Sequence, residues 1–147
     1  MLIENWMTRR VASVKPLDSL QHAREVLEQH RINQLPVLSG AELVGIVTDR
    51  DVRDAFPSVF DFAATGESHR EKGATDPKKI AVESVMTPNV STIGPQESIF
   101  AAARLMGERR IGALPVVAGG KVVGILTRSD LLRALVALGE QGGASKP

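Results

Sequence analysis

The chain repeats itself in register without a gap, and that repeat limits its fold more than any other feature. Met7-Thr8 returns as Met86-Thr87, an offset of 79 residues (86 − 7). The same offset carries Val11 to Val90, Pro16 to Pro95, Ser19 to Ser98 and Ala23 to Ala102. It carries Arg31-Ile32 to Arg110-Ile111, Leu35-Pro36-Val37 to Leu114-Pro115-Val116, and Val44-Gly45-Ile46 to Val123-Gly124-Ile125. Thr48 and Asp51 become Thr127 and Asp130, and upstream Ile3-Glu4 matches Val82-Glu83. Two copies of one unit of ~50 residues are therefore present. A unit that small buries too little surface to stand alone. The sheet of one copy is expected to pack on the other, with two-fold pseudo-symmetry and two equivalent clefts.

Each copy reads as strand, helix, strand, strand, helix. Val11 to Val14 is a short strand-forming run stopped by Pro16. Asp18 or Ser19 caps a helix to about His30, with Leu20, Ala23, Leu27 and His30 on one face. Ile99, Ala102, Leu105 and Met106 take the matching places in copy two. Gln34 to Leu38 and Leu43 to Thr48 are strands joined at the turn signal Ser39-Gly40-Ala41-Glu42. Copy two has Ala113 to Val117 and Val122 to Thr127 around Ala118-Gly119-Gly120-Lys121. Closing helices are expected from Asp49 or Arg50 to Phe56, and from Ser129 to about Leu138. The fold class is α/β (α+β): two pseudo-symmetric β-α-β-β-α repeats packed sheet to sheet, at 1–56 and 81–138. Pro57, Gly66, Gly73 and Pro77 punctuate residues 57–80, which read as a partly helical, mobile connector. The Gly-rich residues 139–147 read as a flexible tail.

Composition narrows the function classes. Aromatics make up only 3%, so the core must come from Val, Ile, Leu, Ala and Met. The absence of Cys excludes a disulfide framework, a thiolate zinc site and a cysteine nucleophile. A net charge of +1 argues against binding nucleic acid through a basic field. No apolar run approaches the ~20 residues that span a bilayer. Met1 to Thr8 lacks the basic-then-apolar pattern of a secretory signal, so the expected location is the cytoplasm. His22 and His30 stand ~12 Å apart along one helix, too far to share a metal ion. No nucleophile elbow or Gly-rich Lys loop occurs. Neither an enzyme nor a required cofactor is expected.

Val44-Gly45-Ile46-Val47-Thr48-Asp49-Arg50-Asp51 and Val123-Gly124-Ile125-Leu126-Thr127-Arg128-Ser129-Asp130 resemble the closing strand and helix start of CBS domains. Met7-Thr8, Met86-Thr87 and the two Leu-Pro-Val triplets complete that pattern. The connector length and the exit Val52-Arg53-Asp54-Ala55-Phe56-Pro57 resemble stand-alone bacterial CBS-pair proteins of the acetoin-utilisation type. The resemblance implies a Bateman module, often a disc-shaped dimer, that binds adenosine-containing ligands such as AMP, ADP, ATP or S-adenosylmethionine. It places the adenine slot at Ser13-Val14 and Thr92-Ile93, with Gln34 and Ala113 as a second wall. It departs from the family at the phosphate. The gamma subunit of AMP-activated kinase has His-Arg where this chain has Asn33-Gln34 and Gly112-Ala113. Arg50, Arg31 or Arg110 could substitute, or could be solvated helix-end charges.

Thr48 with Asp51, and Thr127 with Asp130, carry two readings. Thr-x-x-Asp before an apolar helix is a capping box, with hydroxyl and carboxylate each serving a backbone N–H. The same carboxylate can take both hydroxyls of a ribose, as acidic residues do in dinucleotide folds. The expected function is a ligand-sensing regulator of an unidentified partner protein. The alternative is a ligand-free module for dimerisation or docking. Leu131, Leu132, Leu135, Val136 and Leu138 give the final helix more apolar surface than one small sheet needs, so a homodimer is expected.

Overall fold

Helix α1 (Leu20–His30) begins where Ser19 stays extended and its hydroxyl accepts the His22 N–H at 3.1 Å. It ends where Arg31 turns left-handed at φ 52°. Helix α3 (Ile99–Arg109) copies this, with the Ser98 hydroxyl accepting from Ala101 and Arg110 at φ 55°. Leu20, Ala23 and Leu27 are buried, as are Ile99, Ala102 and Met106, while His30 is exposed. A computed structural model describes residues 1–56 and 76–143.

Each first helix leads into an antiparallel hairpin. Strands β1 (Gln34–Ser39) and β2 (Glu42–Thr48) pair from Gln34 opposite Thr48 to Ser39 opposite Glu42. Strands β3 (Ala113–Ala118) and β4 (Lys121–Thr127) pair from Ala113 opposite Thr127 to Ala118 opposite Lys121. The turns need positive φ, which Gly40 supplies in one and Gly119 with Gly120 in the other. Helix α2 (Asp49–Ala55) follows β2, and α4 (Arg128–Gly143) follows β4.

The Val11–Val14 strand is shorter than the sequence suggests. Only Val14 pairs, in a parallel bridge to Val37, and Ile93 does the same with Val116. The ladder stops because the Lys15 N–H goes to the Asp18 carboxylate at 2.8 Å and Pro16 has no N–H to offer. In copy two, Glu97 takes the Gly94 N–H at 2.6 Å. The last helix is longer than expected, since α4 continues through Gly139 to Gly143. Most of the expected connector, residues 57–75, lies outside the described residues, as do 144–147 of the expected tail.

The chain divides into two compact units: Ala12–Asn89, and Met1–Val11 together with Val90–Pro147. The second division is discontinuous, and its cause is visible in hydrogen bonds. A 3-10 turn at Ile3–Asn5 sits on the start of α3, where Ile3 N–H donates to Glu97 O and Ile99 N–H to Met1 O. Thr8 then bridges Ile125 on β4. In the other unit a 3-10 turn at Val82–Ser84 sits on the start of α1, with Val82 N–H donating to Asp18 O, and Thr87 bridges Ile46 on β2. Ile3 and Val82 are fully buried in their units' cores. Each leading segment therefore completes the hairpin and helix of the other sequence copy.

Candidate functional site

In the Ala12–Asn89 unit, the end of the hairpin gathers three nominated residues. Gln34 opens β1 opposite Thr48, and Thr48 caps α2. Asp51 N–H donates to the Thr48 hydroxyl at 3.1 Å, and Thr48 N–H donates to Asp51 Oδ2 at 2.9 Å. Asp51 Oδ1 has no hydrogen-bond partner among the described residues. Arg50 is exposed on α2. Ser13 is exposed one residue before the Val14 bridge. It lines a cavity of about 340 Å³ with Lys15, Asp18, His22 and Leu38, a space that does not include Asp51.

The other unit repeats the arrangement with different bonding. Ala113 opposes Thr127 and is buried, and Thr92 is exposed before the Ile93 bridge. Asp130 is 3% exposed. Its Oδ2 accepts the Thr127 N–H at 2.7 Å and the Thr127 hydroxyl at 3.0 Å. Its Oδ1 accepts from Arg133, one turn along α4. The sequence reading did not single out Arg133. Its signal was an Arg three residues beyond the Asp, on the same helical face.

A larger cavity, about 660 Å³, lies between α1 and α2 and, of the nominated residues, is lined by Arg31 alone. Leu27, Ile32 and Val52 form its apolar part. Its charges are largely paired, Arg24 with Glu28 at 3.0 Å and Arg53 with Asp49 at 3.4 Å. Arg24 also lies 5.1 Å from the Phe56 ring centroid. Arg31 lines this cavity rather than joining Asp51, so size alone does not locate the chemistry. Among the described residues no group of His, Asp and Glu is placed to hold a metal ion, and no helix is long and apolar enough to cross a membrane.

At both hairpin ends, 79 residues apart, a Thr N–H donates to the carboxylate of an Asp three residues on. The CBS domain family matches residues 3–58 and 82–137. The chain belongs to the CBS-domain family. As a pair of CBS repeats it resembles an acetoin utilization protein (AcuB) from Vibrio cholerae, with 28% identity, TM-score 0.74, and coverage of 100% of this chain and 98% of that one. CBSX2 of Arabidopsis thaliana, solved in complex with AMP, is 31% identical with TM-score 0.74, covering 93% of this chain and 97% of that one. The CBS pair of MJ0100, solved with 5-methylthioadenosine and S-adenosyl-L-methionine, is 26% identical with TM-score 0.74, covering 94% and 98%. Among curated relatives the chain spans 23% of the inosine-5'-monophosphate dehydrogenase of Korarchaeum cryptofilum, at 34% identity.

Proposed function

We propose that this CBS pair is a cytoplasmic regulatory module that binds an adenosine-containing nucleotide, AMP, ADP or ATP, or alternatively S-adenosylmethionine. Asp51 or Asp130 would receive the ribose hydroxyls. The observation that carries this is the placement of a carboxylate at the same hairpin end in both repeats, with Asp51 keeping an oxygen free of partners among the described residues. Relatives solved with AMP and with S-adenosyl-L-methionine support the ligand class. Ser13, Gln34, Thr92 and Ala113 would wall the adenine, with Thr48 and Thr127 beside the ribose. Arg50 would face the phosphate. The module works by differential affinity of the ligand for two states of the pair, which biases a partner protein.

The test is a thermal-shift panel of AMP, ADP, ATP, S-adenosylmethionine, NAD and cyclic dinucleotides. A ligand that binds only the folded chain at about 100 times its Kd adds ~2.7 kcal/mol of stability. A rise of several degrees with an adenosine ligand is expected. No rise with any of them sinks the proposal.

A second reading is favoured by the hydrogen bonds themselves. Both carboxylates already serve a backbone N–H of their own repeat. On that reading they are caps, and the pair is a ligand-free module for dimerisation or docking.

A further inference from the structure

We infer that the two carboxylates are unequal receptors: Asp51 is open to a ribose diol, and Asp130 is latched by Arg133. This rests on the nucleotide-binding reading and specifies which repeat receives the sugar.

The argument is one of acceptor capacity. A carboxylate offers roughly four acceptor positions, and a vicinal diol occupies two. Asp51 uses one, for the Thr48 N–H, among the described residues. Asp130 uses three, for the Thr127 N–H, the Thr127 hydroxyl and Arg133. Roughly one remains, and the Asp130 side chain is only 4% exposed. A diol therefore fits on Asp51 as it stands, and reaches Asp130 only when Arg133 lets go.

The latch belongs to one repeat alone. The 79-residue offset puts Asp54 where Arg133 stands (133 − 79). An aspartate three residues after Asp51 can neither donate to it nor neutralise it, so Asp51 keeps its capacity. Arg133 is itself movable, because its side chain is 65% exposed. The partner that occupies the buried Asp130 carboxylate is thus a surface guanidinium, and an anionic group that drew Arg133 away would free that acceptor position.

Isothermal titration of the full chain with AMP reads this directly. The wild type is expected to show one principal site. Asp51→Asn should weaken that site about ten- to hundredfold, the equivalent of one charge-assisted hydrogen bond, while Asp130→Asn leaves it unchanged. Arg133→Ala should add or tighten a second site by a similar factor, and Arg133→Lys, which keeps a cation, should restore single-site behaviour. Replacing AMP by 2'-deoxy-AMP should weaken the principal site by about tenfold or more. Two equal sites in the wild type would overturn the latch while leaving nucleotide binding intact. So would loss of the principal site in Asp130→Asn, or an Arg133→Ala profile identical to wild type. Absence of AMP binding in every variant removes both the latch and the nucleotide reading.

Discussion

Gly45 and Gly124 show how tightly single residues are specified. A Cβ on Gly45 would lie 2.9 Å from Met86 Cγ and 3.1 Å from the Thr87 carbonyl oxygen. A Cβ on Gly124 would lie 3.0 Å from Met7 Cγ and 3.0 Å from the Thr8 oxygen. The methionine can swing, but the bridged carbonyl cannot retreat without breaking the Thr87–Ile46 or Thr8–Ile125 pair. Gly45→Ala and Gly124→Ala are each expected to cost about 1–3 kcal/mol, measured by urea unfolding. A loss below ~0.5 kcal/mol, the scale of an ordinary surface change, would show that the contact yields freely. The repeat made these glycines visible in the sequence, but the reason for them was not, because Met86 comes from the far end of its unit. Thr48 and Asp51 were legible because their bonds are local. Arg133 is equally local, but a capping box points from the carboxylate back to its Thr and gives no sign of a donor one turn ahead.

The elements obey local chemistry, but their partners do not follow from it. Caps were readable: Ser19 and Ser98 hold their helices as the spacing suggests. Removing either hydroxyl by Ser→Ala should cost about 1 kcal/mol, checked by thermal unfolding, and no loss at either position would deny the caps a role. The match of Ile3-Glu4 to Val82-Glu83 was also plain. Its destination was not, because two similar segments in register can dock on their own copy or on the other. The choice depends on where the chain can reach, which periodicity does not encode. The structure places Ile3 against α3 and β4, and Val82 against α1 and β2. Ile3→Ala should therefore speed amide exchange chiefly in α3 and β4, and Val82→Ala chiefly in α1 and β2. The opposite assignment would refute the exchange of segments. A fully buried Ile→Ala change typically costs 2–5 kcal/mol, so the effect is large enough to resolve.

For the whole molecule, the outer face of α4 bears on assembly. Leu132, Leu135 and Val136 follow helical spacing and are 62%, 64% and 61% exposed. The 79-residue offset puts Arg53 in the other repeat where Leu132 stands, and Arg53 is salt-bridged to Asp49. The fold thus tolerates charge at this position, so its own core does not demand a leucine there. A second copy of the chain is the proposed cover for the face. Leu132→Glu combined with Leu135→Glu should shift light scattering from dimer to monomer mass without loss of helix. A wild-type chain that is monomeric at all accessible concentrations would end that proposal.

The discontinuous unit also sets an order of events at the ribosome. Ala12–Asn89 is one uninterrupted stretch, complete as soon as Asn89 has emerged. Met1–Val11 is made earlier yet has no partner until the start of α3, and no strand to bridge until β4 is synthesised. Translation at about 5–20 residues per second leaves that segment waiting for several seconds. During that interval Ile3 and Met7, both destined for the interior, are uncovered apolar groups on a nascent chain. Residues translated before Ala12–Asn89 are thus buried after it, and on the nascent chain they offer a trigger-type chaperone something to hold.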